Sequence, residues 1–400
     1  MKTENTATNP LAETPDFSLV LGGPLFQLFQ RAYLSGTGLE LLHRRMIFIP
    51  LFLWLPAFLL SAMDGYAFGG SIHIPFLWDV EAHARILVAL PALIFAELVV
   101  HRRISPLVRR FIDRGIVIPE DYSAFNNALT SALRLRNSVV IEVTLLILVY
   151  TLGIWTWKNQ IAVGSGTWFA VPAATGMRLT SAGLWYSLVS IPVFQFFLLR
   201  WLVRSLIWFQ LLWRISRLKL RLNGAHPDRA GGIGFLGNST YAFGPILFAQ
   251  GTLLSGLIAS RVLFEGQSLL SFKMEAAGLV GAMVLFIMGP LLMFMPQMDR
   301  AQRKSEAEFG LLANHYVFQF EEKWIRKSAK DSDDLLGTGD IQSLADLGNS
   351  CSVVSDMRIV PFGLKQVGRL VFATAAPLIP LALTVFSLEE LLSRLIKIIL

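Results

Sequence analysis

The sequence predicts an all-α polytopic membrane bundle of six to seven transmembrane helices with a small cytoplasmic helical lobe. Three observations carry this. The 400 residues are 54% hydrophobic and only 16% charged, where soluble domains average about 25% charged. The apolar residues are gathered into runs near the length of about 20 residues that a spanning helix needs. Lys and Arg recur in alternate loops, as the positive-inside rule requires.

Six runs qualify as spans, at about 46–64, 84–102, 138–157, 184–206, 241–262 and 276–297. A seventh, about 367–386, carries Pro377 and Pro380, which remove backbone donors and crowd the preceding turn, so it is expected to be broken and either to cross or to re-enter. The 101–136 loop holds seven Lys or Arg and the 204–240 loop six, whereas 65–83 has none and 158–182 has only Lys158 and Arg178. The N-terminus, 101–136, 204–240 and 299–365 are therefore expected in the cytoplasm. Trp155, Trp157, Trp168, Trp185, Trp201, Trp208 and Trp213 lie near span ends, where interfacial anchors are expected. The polar N-terminus does not read as a cleavable signal peptide.

The domain reading follows: a cytoplasmic segment 1–45, a six-span domain 46–298, a cytoplasmic lobe 299–365, and a Pro-broken segment with an amphipathic C-terminal helix, 366–400. The lobe holds nine basic and eleven acidic residues and is expected to be well solvated. In it, Phe309, Leu312, Tyr316 and Phe320 fall at helical spacing, and Asp340 is placed to N-cap a second helix bearing Ile341, Leu344 and Leu347. Ser387 and Glu390 form a capping-box pattern ahead of the last apolar stretch. The single cysteine, Cys351, excludes an intrachain disulfide.

The stretch "NGAHPDRAGGIGFLGNST" contains Gly232-x-Gly234-x-x-Gly237. "RLKLRL" before it alternates with the period of a short strand over 216–222, yet no acid follows about 20 residues on, and Gly-Lys-Ser is absent, so a nucleotide fingerprint is not supported. The favoured reading is a tight re-entry turn: Gly231, Gly232 and Gly234 permit positive φ, Phe235 and Leu236 dip inward, and Ser239 or Thr240 caps the fifth span. The sharper alternative is a ligand site in which His226, Asp228, Arg229, Gly231, Gly232 and Gly234 hold a phosphate or carboxylate on exposed backbone N–H groups. If Asp340 and Asp346 of the lobe met Arg229, the two motif regions would form one site.

Ionisable groups within spans are costly and mark function by default. Glu97 and Glu142 both fall in the cytoplasmic part of the bilayer and could share a site. The simpler reading pairs Glu97 locally with His101 and Arg102, and Glu142 with Arg136. Arg200 and Arg204 are expected to snorkel to the interface, while Gln195 and Gln250 are expected to hydrogen-bond between helices. His73, Asp79, Glu81 and His83 form an unspecific cluster, and no catalytic or metal motif emerges among the six histidines.

"HPDRAGGIGFLG", "ALRLRNS" and "LLGTGDIQSLADLGNS" resemble recurring blocks of a family of uncharacterised bacterial multi-pass inner-membrane proteins, over about residue 40 to the end. The resemblance implies a bacterial inner-membrane location and supplies no residue roles. The functional expectation is a channel or transporter for an ion or small solute, with a membrane-anchored sensor or scaffold as the alternative. Enzyme activity ranks last. The expected partners are the bilayer, a small anionic ligand and a second copy of the chain. No cofactor, metal or nucleic acid is expected.

Overall fold

The computed structural model describes residues 17–31, 39–69, 72–153, 166–173, 176–326 and 339–384. It is almost wholly helical. Five helices are long and apolar enough to cross a membrane: Leu42–Met63, Val80–Asp113, Ser181–Ile215, Gly234–Glu265 and Leu269–Arg326. The protein is thus membrane-embedded by the length and composition of its helices.

In chain order, α1 is Pro24–Arg31, α2 Leu42–Met63, α3 Val80–Asp113, α4 Tyr122–Arg136 and α5 the shorter apolar Val139–Thr151. A two-stranded hairpin follows, β1 Ala170–Ala173 against β2 Gly176–Leu179, with Ala170 opposite Leu179. Then come α6 Ser181–Ile215, α7 Gly234–Glu265, α8 Leu269–Arg326, α9 Asp340–Ser355 and α10 Leu364–Ala375. Large apolar side chains such as Phe48, Phe52, Leu59, Val140 and Ile147 point outward. In water such a surface would aggregate; against lipid it is the favourable one.

Proline shapes the spans. Pro91 and Pro192 lack the N–H that would close the preceding α-turn, and in both helices the turn just before is widened to π geometry, over Ala84–Ala89 in α3 and Tyr186–Ser190 in α6. In α7 the first ten residues, Gly234–Phe243, are 3-10. No side chain caps that start, and the Thr240 hydroxyl instead donates to the Gly237 carbonyl, which corrects the expected Ser239 or Thr240 cap. The sixth apolar run does not stop at 297. Its helix runs on to Arg326, where α9 folds back against it.

After α10 the chain continues as a 3-10 helix over Ala376–Thr384, the geometry left open when Pro377 and Pro380 withdraw donors. The segment starts beside the glycine loop, where Phe362 abuts Gly237, and ends where Leu381 packs with Ile258 and Phe272. Gly251 of α7 seats it: a Cβ there would overlap the Thr374 carbonyl. The 216–222 stretch is not a strand. It makes one isolated bridge, Val117 to Leu220, and a bond from Arg221 N to Ile116 O at 2.7 Å. The capping-box residues Ser387 and Glu390, Trp155 and Trp157 lie outside the described residues.

The tryptophans depart from the anchor expectation. Trp168, Trp201 and Trp208 are buried core residues. Trp201 Nε1 donates to Leu93 O at 2.7 Å, Trp168 Nε1 to Asp79 Oδ2 at 2.8 Å, and Trp185 Nε1 to Leu53 O at 3.2 Å. These three indole N–H groups each find an acceptor, as a buried donor favours, whereas the buried Trp54 Nε1 has none among the described residues.

Candidate functional site

A buried ionic layer crosses the bundle. Arg45 comes from the first turn of α2, Glu97 from the interior of α3, Glu142 from the first turn of α5, and Arg200 and Arg204 from one face of α6. Glu97 Oε2 accepts from Arg45 Nη1 at 2.6 Å, and Oε1 from Arg204 Nη1 at 2.9 Å, with Arg200 Nη1 at 3.5 Å. Arg200 Nη2 also reaches Glu142 Oε1 at 3.1 Å, so Arg200 joins the two carboxylates. Arg45, Glu97, Arg200 and Arg204 are 1%, 1%, 6% and 5% exposed.

These contacts correct the local-pairing reading. Glu97 pairs across helices rather than with His101 or Arg102: three guanidiniums from other helices reach its two oxygens. His101 Nδ1 instead lies 3.0 Å from Ser18 Oγ. Arg200 and Arg204 do not snorkel, since Glu97 offers a closer counter-charge than the interface. Glu142 takes Arg200 and the Leu25 N–H, the latter at 2.9 Å, while Arg136 donates to the Ser18 carbonyl.

The sequence reading missed Arg45 and the segment that seals the layer. Phe17, Ser18, Leu19 and Val20 are buried in the bundle, so the segment before residue 45 is not separate from the membrane domain. Gly22 and Gly23 take φ of 137° and 89°, and a Cβ at Gly22 would press into the Arg136 guanidinium. The available signal was Gly22-Gly23-Pro24, a sharp turn ahead of the first span.

On the hairpin side of this layer the bundle lines an open cavity of about 730 Å³. Its polar lining is Asp79, Glu81, Arg85, Tyr186, Gln195, Gln250 and Glu265. Arg85 and Tyr186, both in the π-widened turns, bond to each other at 2.5 Å, and Arg85 also pairs with Glu81. Asp79 accepts from Ala82 N at 2.9 Å and from Trp168, and His83 Nδ1 lies 2.6 Å from the Asp79 carbonyl. Asp79, Glu81 and His83 are thus engaged in structural bonds, and the His73 ring stands edge-on to Phe264. Among the described residues no group of His, Cys, Asp and Glu is placed to hold a metal ion.

Gln195 Oε1 has no hydrogen-bond partner among the described residues, against the expected interhelical bond; it faces Gly153 where a Cβ would not fit. At 1.5 Å per residue, Gln195 lies roughly 21 Å below the start of α6 and Gln250 roughly 22 Å below the end of α7. Arg200 lies roughly 28 Å down α6 and Glu97 roughly 25 Å down α3 on the same measure. The cavity therefore reaches to within about one helical turn of the ionic layer.

The glycine loop closes the opposite end. Asp228 is its organising group: Oδ1 accepts from Ala230 N at 2.9 Å and Gly232 N at 3.1 Å, and Oδ2 from Gly234 N at 3.0 Å. His226 Nδ1 lies 2.9 Å from Oδ1. The concavity of N–H groups that could hold a phosphate is thus filled by the chain's own carboxylate. This overturns the anion-site reading at its donors and supports the turn. Gly231 and Gly232 do take positive φ, at 66° and 93°, but Gly234 does not, and Arg229 does, at 51°. Phe235 and Leu236 are buried, Phe235 edge-on to Phe111.

Arg229 does not meet Asp340 or Asp346. It pairs with Asp356 at 3.3 Å, and Arg358 donates to the Asp228 carbonyl at 3.1 Å. Asp340 sits inside α9 after Gly339 rather than capping it, and accepts from Lys323 Nζ at 2.7 Å and Trp324 Nε1 at 2.9 Å. Those donors hold its carboxyl below the ordinary carboxylate range. Asp346 accepts from Gln342 Nε2 at 2.9 Å.

Burial pushes the Asp228 carboxyl up, but the three backbone N–H groups and His226 outweigh it and hold it below its ordinary value. A carboxyl lowered on folding stabilises fully above its unfolded value of about 3.9 and loses that contribution as pH falls through the folded value. Asp228→Asn is expected to lower the unfolding temperature by the same margin from about pH 5 to 8, and the gap to the unaltered protein should close below about pH 4. Thermal unfolding against pH checks this. A gap that persists undiminished at the lowest pH would mean that the charge is irrelevant.

The chain matches no family model, no curated protein and no solved structure.

Proposed function

We propose that the chain is a bacterial inner-membrane transport protein, a channel or transporter for an ion or small solute. The carrying observation is the cavity of about 730 Å³ that runs down the helices to Gln195 and Gln250 and stops just short of the buried Glu97 layer. A solvated vestibule ending on a charged seal is the arrangement of a gated pathway. The π-widened turns before Pro91 and Pro192, which carry Arg85 and Tyr186 in the cavity wall, supply irregular segments that can rearrange.

The finer topology belongs to this reading. The basic loops put the N-terminus, the glycine loop and the α8–α9 lobe in the cytoplasm, and the hairpin outside. With the apolar run 138–157, which opens with α5, as the third crossing, the first six runs span. The twelve residues of α10 and nine of 3-10 helix make a rod of roughly 36 Å, enough for a seventh crossing of a hydrocarbon core about 30 Å thick. The resemblance of the motif blocks to bacterial inner-membrane proteins implies the same location. The sensor or scaffold alternative keeps one support, the Arg229–Asp356 contact between loop and lobe.

Reconstitution tests the proposal. Proteoliposomes are expected to pass at least one class of small ion or solute, and Gln195→Leu to slow it several-fold without loss of folded protein. No flux above empty liposomes across inorganic ions, organic acids and amines would overturn it.

A further inference from the structure

We propose that Arg45 binds a small monovalent anion on the edge of its guanidinium turned away from Glu97. Only Nη1 of Arg45 is used by Glu97. Nε and Nη2 are enclosed and have no acceptor among the described residues. These two nitrogens share one edge of the guanidinium, the fork that grips an anion with two parallel hydrogen bonds. The Phe29 ring covers the face, 5.2 Å from Cζ.

Charge points the same way. Arg45, Arg200 and Arg204 stand against Glu97 and Glu142, three guanidiniums to two carboxylates. Arg136 lines a small cavity of about 20 Å³ with Arg200, Arg204 and Glu142, adding a further positive group beside the layer. An uncompensated positive charge and two bare donors are each costly away from water. One small anion on the Arg45 edge answers both; a water molecule would answer only the second. This rests on burial and charge, independently of transport, so binding can succeed or fail whether or not flux is seen.

The test is thermal unfolding of the purified full-length protein at fixed ionic strength, with sodium gluconate exchanged for chloride or bromide. A saturable rise of several degrees in halide is expected. Arg45→Met removes the fork and the excess charge together and should abolish the rise. Glu97→Gln keeps the fork, increases the excess and should enlarge it. Equal unfolding temperatures in gluconate and halide would overturn the proposal. Should Arg45→Met fail to fold, bromide soaked into crystals of the unaltered protein decides: an anomalous peak within hydrogen-bonding distance of Nε and Nη2 supports the site, and none there overturns it.

Discussion

Replacing Glu97 with Gln should destabilise the protein by about 3–5 kcal/mol, the cost typical of removing one partner from a buried ion pair. The reason is geometric. Glu97 alone takes Arg45 and Arg204 on separate oxygens and draws Arg200 in as well. The amide keeps an acceptor but no charge, and three guanidiniums then repel one another where water cannot screen them. Thermal unfolding of Glu97→Gln beside Glu308→Gln measures it. The Glu308–Lys304 pair is exposed and spans 3.7 Å, so its loss should cost within about 1 kcal/mol. A second change, Arg204→Met in the Glu97→Gln background, should recover part of the loss by removing an unmatched charge. Equal effects at Glu97 and Glu308 would show that the layer is open to water.

Gly251→Val should be the next most damaging change, at about 1–3 kcal/mol or more. The new Cβ would overlap the Thr374 carbonyl oxygen and crowd the Pro377 ring. The obstacle is backbone, which cannot swing aside as a side chain does, so α10 and its 3-10 extension would have to lift from α7. Gly278→Val, on a face of α8 where a Cβ meets nothing, is the control and should be nearly silent. Unfolding temperatures of the two variants check this. Similar values would mean that the last segment is not seated on α7.

Much of the fold was legible in the sequence, because a membrane span is written in one dimension. An apolar run of sufficient length must be helical, and Pro377 and Pro380 announce a change of helix type. The length of α8 was not legible: Gly289-Pro290 and Pro296 read as a stop where the apolar run ends, yet they cost only a 3-10 turn over Gly289–Phe294, and Pro296 sits in the first turn of the α-helical stretch that follows, where its missing N–H is not needed. The site was half legible. Glu97, Glu142 and Arg200 stand out as charges in apolar runs, but which charges meet depends on how helices pack. Arg45 lies at the edge of its run, where a basic residue ordinarily snorkels, and nothing local says that it turns inward to Glu97. In the glycine loop, the positive φ of Gly231 and Gly232 follows from composition. That Asp228 fills its own ring of donors depends on the loop's path, which no spacing rule supplies. The same holds for Trp168, Trp201 and Trp208, whose position along the chain is interfacial and whose surroundings are core.

The central claim is that a vestibule open at the hairpin end runs down the bundle and stops at the ionic layer. Single cysteines test it directly, in a Cys351→Ser background, at Leu257, Gln250 and Gln195 along the cavity and at the fully buried Ala96 beside Glu97. A membrane-impermeant thiol reagent applied from outside the cell should modify Leu257→Cys and Gln250→Cys readily, Gln195→Cys more slowly and Ala96→Cys not at all. Protection of all the cavity positions, or labelling of Ala96→Cys as fast as Leu257→Cys, would contradict the account.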